Sequence, residues 1–194
     1  MYHSNNTLKK KRNDTFKRKV HQLIPGGAHT YSKGDDQFPI NAPAAISHGK
    51  GALVWDLNGE QYVDCSMGLT SVSIGHGYEP VARAVSEAAF QGTNFQRPAL
   101  LELDAARLFL EVTQSGEMIK FAKNGSTVTT AAVKLARAYT GRSKVALPKQ
   151  HNFFSFDDWF IATTPCDHGI PENVSELSVF FDYNDVQSVE SILS

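Results

Sequence analysis

A chain of 194 residues, 41% hydrophobic and 20% charged, has the composition of a folded globular protein of one domain or a domain and a half, which excludes wholesale disorder. Its net charge of −1 argues against a dedicated nucleic-acid binder, whose affinity needs excess positive charge. No apolar run reaches transmembrane length, and the basic N-terminus is not followed by an apolar stretch, so a cytoplasmic protein is expected. The two cysteines, Cys65 and Cys166, lie far apart without metal spacing, which predicts free thiols in packing positions and a reducing compartment.

In chain order, residues 1–6 are expected to fray. Phe16, Val20, Leu23 and Ile24 then space a surface helix over about 8–23, stopped by Pro25-Gly26-Gly27. Lys9, Lys10, Lys11, Arg12, Lys17, Arg18 and Lys19 are read as its solvated face rather than a nucleic-acid or membrane patch. An irregular stretch punctuated by Gly34, Pro39 and Pro43 follows. Gly51–Asp56 and Gln61–Cys65 alternate around Asn58-Gly59, which predicts a hairpin with a type I′ turn. Two helices come next. The first spans Val81–Gln91, with Val81, Ala84, Val85, Ala88 and Ala89 inward and Gly92 as its stop. The second starts at Pro98, with Leu101, Ala105, Leu108 and Phe109 on one face. A strand at Met118–Ala122, a helix at 127–140 stopped by Gly141, and a strand at Lys144–Leu147 read as a right-handed βαβ unit and hence a parallel sheet. Leu177–Phe181 supplies another buried strand, and a last helix begins at Asp185.

Between the first of these strands and its helix lies the turn Asn124-Gly125-Ser126-Thr127. A polar turn at a helix N-terminus is an anion seat, because the first amides have no partner in the helix and the dipole end is positive. Local chemistry leaves two readings equally open: a phosphate seat, or a plain helix cap made by Ser126 or Thr127. Elsewhere, His29, His48 and His76 form no metal spacing, and His76, between two glycines, reads as structural. Asp157 and Asp158 are adjacent and point apart on any regular element, so they are not read as an acid/base pair. Gly75-His76-Gly77 lacks the third glycine of a dinucleotide motif.

From Gly125-Ser126-Thr127 through Ala-Val-Lys-Leu-Ala-Arg-Ala-Tyr-Thr-Gly-Arg, ending at Arg142, the chain resembles the phosphate loop and following helix of class III aminotransferases. Within them it is most similar to glutamate-1-semialdehyde 2,1-aminomutases. Ile24–Gly34, Gly51–Asp64 and Ile74–Val81 resemble that family's entry segment, early hairpin and glycine–histidine–proline turn, in the same order. The resemblance runs from about His21 to the chain's end. It implies an α/β fold, part of a fold-type I transferase large domain with a mostly parallel sheet and flanking helices, preceded by an N-terminal helix and hairpin. On this basis 1–70 is expected as an N-terminal segment and 71–194 as an incomplete cofactor-binding large domain.

The implied cofactor is pyridoxal 5′-phosphate, with Gly125, Ser126 and Thr127 at its phosphate. Thr127 stands where the family usually carries an acidic residue. His151, in Gln150-His151-Asn152, is the candidate to match the family's tyrosine–histidine–glycine beside the pyridine ring, against the alternative of an ordinary loop histidine. Phe153 and Phe154 are expected in the core. Lys33 matches an arginine that holds the substrate carboxylate, although a lysine lacks the bidentate fork, and an exposed lysine is the alternative. The Schiff-base lysine and the aspartate at the pyridine nitrogen fall beyond the matching sequence, so the chain alone is expected to be inactive. Three readings follow: the N-terminal part of an aminomutase or aminotransferase working as a dimer on a small amino substrate, an aminotransferase for a keto sugar or sugar nucleotide, or a non-catalytic cofactor-binding remnant.

Overall fold

The structure is a computed structural model that describes residues 2–193. It divides into two compact units, Met1–Gln96 and Arg97–Ser194. The N-terminal unit opens with α1 (Tyr2–Leu23), so the expected fraying at the N-terminus is not seen from Tyr2 onward, and Met1 lies outside the described residues. α1 docks through a polar stripe at four-residue spacing. Lys9 pairs with Glu60, Asn13 accepts from the Asn58 amide at 3.1 Å, and Lys17 and His21 reach Asp35 at 3.6 and 3.1 Å. The expected apolar stripe does not make this contact, and Phe16 and Leu23 face outward.

Three strands, β1 (Ile46–Lys50), β2 (Leu53–Asp56) and β3 (Gln61–Val63), form an antiparallel sheet in chain order. The β2–β3 hairpin is present, but its turn is not type I′, since Gly59 alone in the connection is left-handed, at φ 80°. The cause is Asp56, only 2% exposed, whose carboxylate accepts the amides of Asn58 at 2.7 Å and Glu60 at 2.8 Å. Those two bonds hold Asn58 out of the left-handed region and satisfy a charge that is costly to bury bare. Strand β1 was not anticipated, because Ile-Ser-His-Gly-Lys lacks apolar alternation; it is a strand by virtue of pairing with β2. His76 bridges Gly51 by two backbone bonds of 2.8 and 2.9 Å, and its Nε2 lies 2.7 Å from Asp64 Oδ2. Its ring lies over Gly49, where a Cβ would come within 2.6 Å of it. Helix α2 (Glu79–Gln91) closes the unit, starting with Pro80 in its first turn and stopping at Gly92.

The C-terminal unit starts with α3 (Leu100–Thr113), whose first turn is closed by Glu102 reaching back to the Ala99 amide at 3.1 Å. The expected strand at Met118–Ala122 is absent. A strand needs a ladder partner, and this segment has none among the described residues: Met118 is 88% exposed, and Phe121 packs edge-on against Phe109 at 6.0 Å. α4 (Gly125–Thr140) ends on left-handed Gly141, and β4 (Val145–Pro148) pairs in parallel with β5 (Ser178–Phe181). The crossover between these strands carries two short helices, α5 (Asp158–Ile161) and α6 (Glu172–Ser175), and α7 (Val186–Leu193) follows β5. The parallel pair is therefore β4–β5 and not 118–122 with β4. Leu147, Trp159 and Phe160 form the core, with Val133 of α4, Val145 and Phe180 packed on them. The faces expected inward on α2 and α3 are largely open, with Val85 63% and Leu101 68% exposed. Cys65 and Cys166 are free and exposed, not packed as expected. Among the described residues no helix is long and apolar enough to cross a membrane.

Candidate functional site

The N-cap of α4 is Asn124, in extended conformation (φ −154°, ψ 168°), and its Oδ1 accepts from the amide of Thr127 at 2.9 Å and its hydroxyl at 3.1 Å. Capping thus falls to Asn124 rather than to Ser126 or Thr127, which lie inside the first turn. A single cap oxygen leaves most orphan amides of a helix start unmet. The N–H groups of Gly125 and Ser126 have no partner among the described residues. Ser126 Oγ accepts from the Phe156 amide at 3.3 Å, which leaves its hydroxyl hydrogen free to donate. A Cβ on Gly125 would meet nothing within 4 Å, so the approach to these donors is open. No acidic residue stands in the first turn. Two amides, one hydroxyl and the positive end of a 16-residue helix fit a phosphate group.

Behind this turn runs the segment 153–157, tied to it by side-chain bonds. The Thr129 hydroxyl donates to the Phe154 carbonyl at 2.8 Å, and Ser155 Oγ lies 3.4 Å from the Ser126 carbonyl. Thr130 donates to Asp157 and receives the Trp159 indole N–H at 2.9 Å. Phe153, Phe154 and Phe156 are exposed, so the expected core placement of Phe153 and Phe154 does not hold. The backbone of Phe154 and Phe156 is bound instead to the first turns of α4, and the exposed Phe153 and Phe154 rings rest edge-on against Phe160 at 5.5 Å. Sequence reading missed this strap because its partners lie 25–30 positions away; the run of aromatics beside Ser155 was the only available signal.

His151 sits half-buried, with its ring 4.8 Å from Phe160 and 6.3 Å from Phe154, and its Nε2 is 3.3 Å from the Thr163 hydroxyl. It is thus linked to the strap through Phe154 and to the core through Phe160. Its neighbour Gln150 bonds Asp182 at 3.2 Å and the Tyr183 amide at 2.9 Å. Lys149 lies 2.9 Å from Asp182, and these two partners, Lys149 first, hold the Asp182 carboxyl below its ordinary pKa. Lys33 belongs to the N-terminal unit, exposed in the 3-10 turn Tyr31–Lys33, with no ion pair among the described residues. Asp157 and Asp158 serve apart, Asp157 on Thr130 and Asp158 in the first turn of α5.

Residues 31–169 match the family described as aminotransferase class-III. The glutamate-1-semialdehyde 2,1-aminomutase of Sulfurihydrogenibium azorense is 30% identical over 186 residues, which cover 84% of this chain and 42% of that protein. The corresponding protein of Aquifex aeolicus is 29% identical, with 92% and 44% covered. Among solved structures, an omega-transaminase from Sphaerobacter thermophilus superposes with a TM-score of 0.83 at 23% identity, over 93% of this chain and 44% of that one. A glutamate-1-semialdehyde-aminomutase from Pseudomonas aeruginosa PAO1 superposes with a TM-score of 0.73 at 21% identity, over 100% and 46%. The fold is accordingly part of the fold-type I transferase architecture, and the chain spans less than half the length of these relatives. With the family matched across most of its residues, the chain belongs to the class-III aminotransferases.

Proposed function

We propose that this chain is the N-terminal, phosphate-holding part of a pyridoxal-phosphate enzyme of the glutamate-1-semialdehyde 2,1-aminomutase type, moving an amino group on a small amino-aldehyde or amino acid. The observation that carries the reading is the pair of unpartnered amides, Gly125 and Ser126, beside a free Ser126 hydroxyl at an unobstructed helix start. When bound, the cofactor supplies the electron sink for amino-group chemistry. The chain's own residues bind and orient it. Gly125 and Ser126 donate to the phosphate, and the dipole of α4 adds to the attraction. Thr127, already bonded to Asn124 through amide and hydroxyl, keeps the turn in shape behind them. His151, braced by Phe160 and Thr163, offers a flat ring at the far end of the strap. Lys33 offers a cation to a substrate carboxylate.

In this reading 1–70 is the entry segment and 71–194 the incomplete cofactor domain. The Schiff-base lysine lies outside the 194 residues, and the intact protein works in the cytoplasm as a homodimer. Titration of the intact protein with pyridoxal 5′-phosphate tests the seat. Ser126→Ala removes a hydrogen bond to a charged group, worth about 1.5–3 kcal/mol, and is expected to weaken cofactor binding about tenfold to a hundredfold. Unchanged affinity would reduce the turn to a helix cap.

A further inference from the structure

We propose that Thr130 is a positioning residue for the anion seat, holding the 154–157 strap so that the Phe156 amide orients the Ser126 hydroxyl toward the bound anion. The inference rests on the phosphate reading of the α4 start. Thr130 lies one turn into the helix, beyond reach of any group bound at its tip, yet its single hydroxyl is the meeting point of the strap. It donates to the Asp157 carboxylate, accepts from the indole of the buried Trp159 at 2.9 Å, and lies 3.2 Å from Ser155 Oγ. Ser155 is fully buried at 0% exposed, and its Oγ accepts the Asp157 amide at 3.1 Å. Its hydroxyl hydrogen is therefore left for Thr130 or for the Ser126 carbonyl at 3.4 Å.

This chain of bonds places the Phe156 N–H on Ser126 Oγ. A hydroxyl that accepts on its oxygen has its rotor fixed and becomes a better donor, because hydrogen bonds in sequence polarise one another. The Phe156 amide is the one donor shown on Ser126 Oγ, so without it no described group sets the direction of that hydroxyl. Thr130 thus acts on the seat through Ser126 and touches no ligand itself.

In the intact protein, Thr130→Val keeps the side chain's shape and removes its hydroxyl. Affinity for pyridoxal 5′-phosphate, read by equilibrium dialysis, is expected to fall about tenfold. Affinity for pyridoxal, which lacks the phosphate, is expected to stay within about twofold, and Thr130→Ser to restore the phosphate compound's affinity. The double variant Thr130→Val/Ser126→Ala is expected to bind no more weakly than Ser126→Ala, because one substitution acts through the other. Additive losses, an equal loss for pyridoxal, or no loss would each overturn the positioning role. A readout free of any ligand is amide exchange at Phe156, expected to quicken in Thr130→Val and to slow again in Thr130→Ser; an unchanged Phe156 amide overturns the strap's dependence on Thr130. If Phe156 exchange quickens while Ser126→Ala leaves cofactor affinity untouched, the phosphate reading itself fails, and the positioning role falls with it.

Discussion

Gly125 illustrates how one residue's freedom serves a site rather than a fold. Its φ is not left-handed and its Cα faces open space, so the backbone does not require glycine there. The requirement comes from what approaches the helix start. Gly125→Val is therefore expected to leave α4 folded while crowding the two free amides, and to weaken cofactor binding more than Ser126→Ala does. Calorimetric titration of both variants checks the order, with circular dichroism as the control on folding. A second residue-scale pair lies in the other unit. The His76 ring beside Asp64, with Ser66 as a further donor, holds the Asp64 carboxyl down from 3.8 to about 2. A depressed acid stabilises the folded chain fully above its unfolded pKa, and that contribution is lost as pH falls through the folded value, here between about pH 4 and pH 2. Carboxyl-detected NMR should find Asp64 titrating near the lower limit, and His76→Asn should bring it back toward the ordinary range. A midpoint that does not move would show that the Ser66 hydroxyl and the backbone amides of Ser66 and Met67 are sufficient.

At the scale of elements, helices were legible wherever a stop or cap residue accompanied 3.6-residue periodicity. Gly92 and Gly141 ended α2 and α4 as expected, and the hairpin formed around Asn58-Gly59. Turn type was not legible, because a buried carboxylate two residues upstream decided it. Strands fared worse. β1 exists through pairing alone, and 118–122 has the composition of a strand without a neighbour to bond. Cap identity at α4 also went to the residue before the glycine. Asn124→Ala is expected to cost about 1 kcal/mol by removing the acceptor for the Thr127 amide. Denaturant unfolding measures that cost, and faster amide exchange confined to the first turn of α4 locates it. An unchanged midpoint would mean that the strap, and not the cap, holds the helix start.

At the scale of the whole molecule, among the described residues each unit buries few apolar side chains: Val54 in one, and Leu147, Trp159 and Phe160 in the other. The amphipathic faces of α2 and α3 were readable from periodicity, yet Val81, Val85, Leu101 and Leu108 stay exposed. The chain spans 41–44% of the length of the curated relatives it matches. If the proposed function holds, borohydride treatment of the 194-residue chain with pyridoxal 5′-phosphate is expected to label no single lysine stoichiometrically. Mass spectrometry showing one unique adduct would contradict that.

What the sequence by itself determined was local and periodic: the longer helices and their stops, though not α5 or α6, the hairpin, the polar turn before α4, and a family resemblance carried by several short motifs in order. These depend on neighbours within a few positions, where propensity and capping act directly. Tertiary structure alone decided which strands exist, that Gln150 serves Asp182 and Tyr183, that His151 leans on Phe160, and that Thr130 gathers Ser155, Asp157 and Trp159 behind Ser126. The hydrogen bonds among them join residues 25–33 positions apart. Which polar group meets which across such a span is set by how the backbone packs, since each buried donor and acceptor must find a partner once the fold has excluded water.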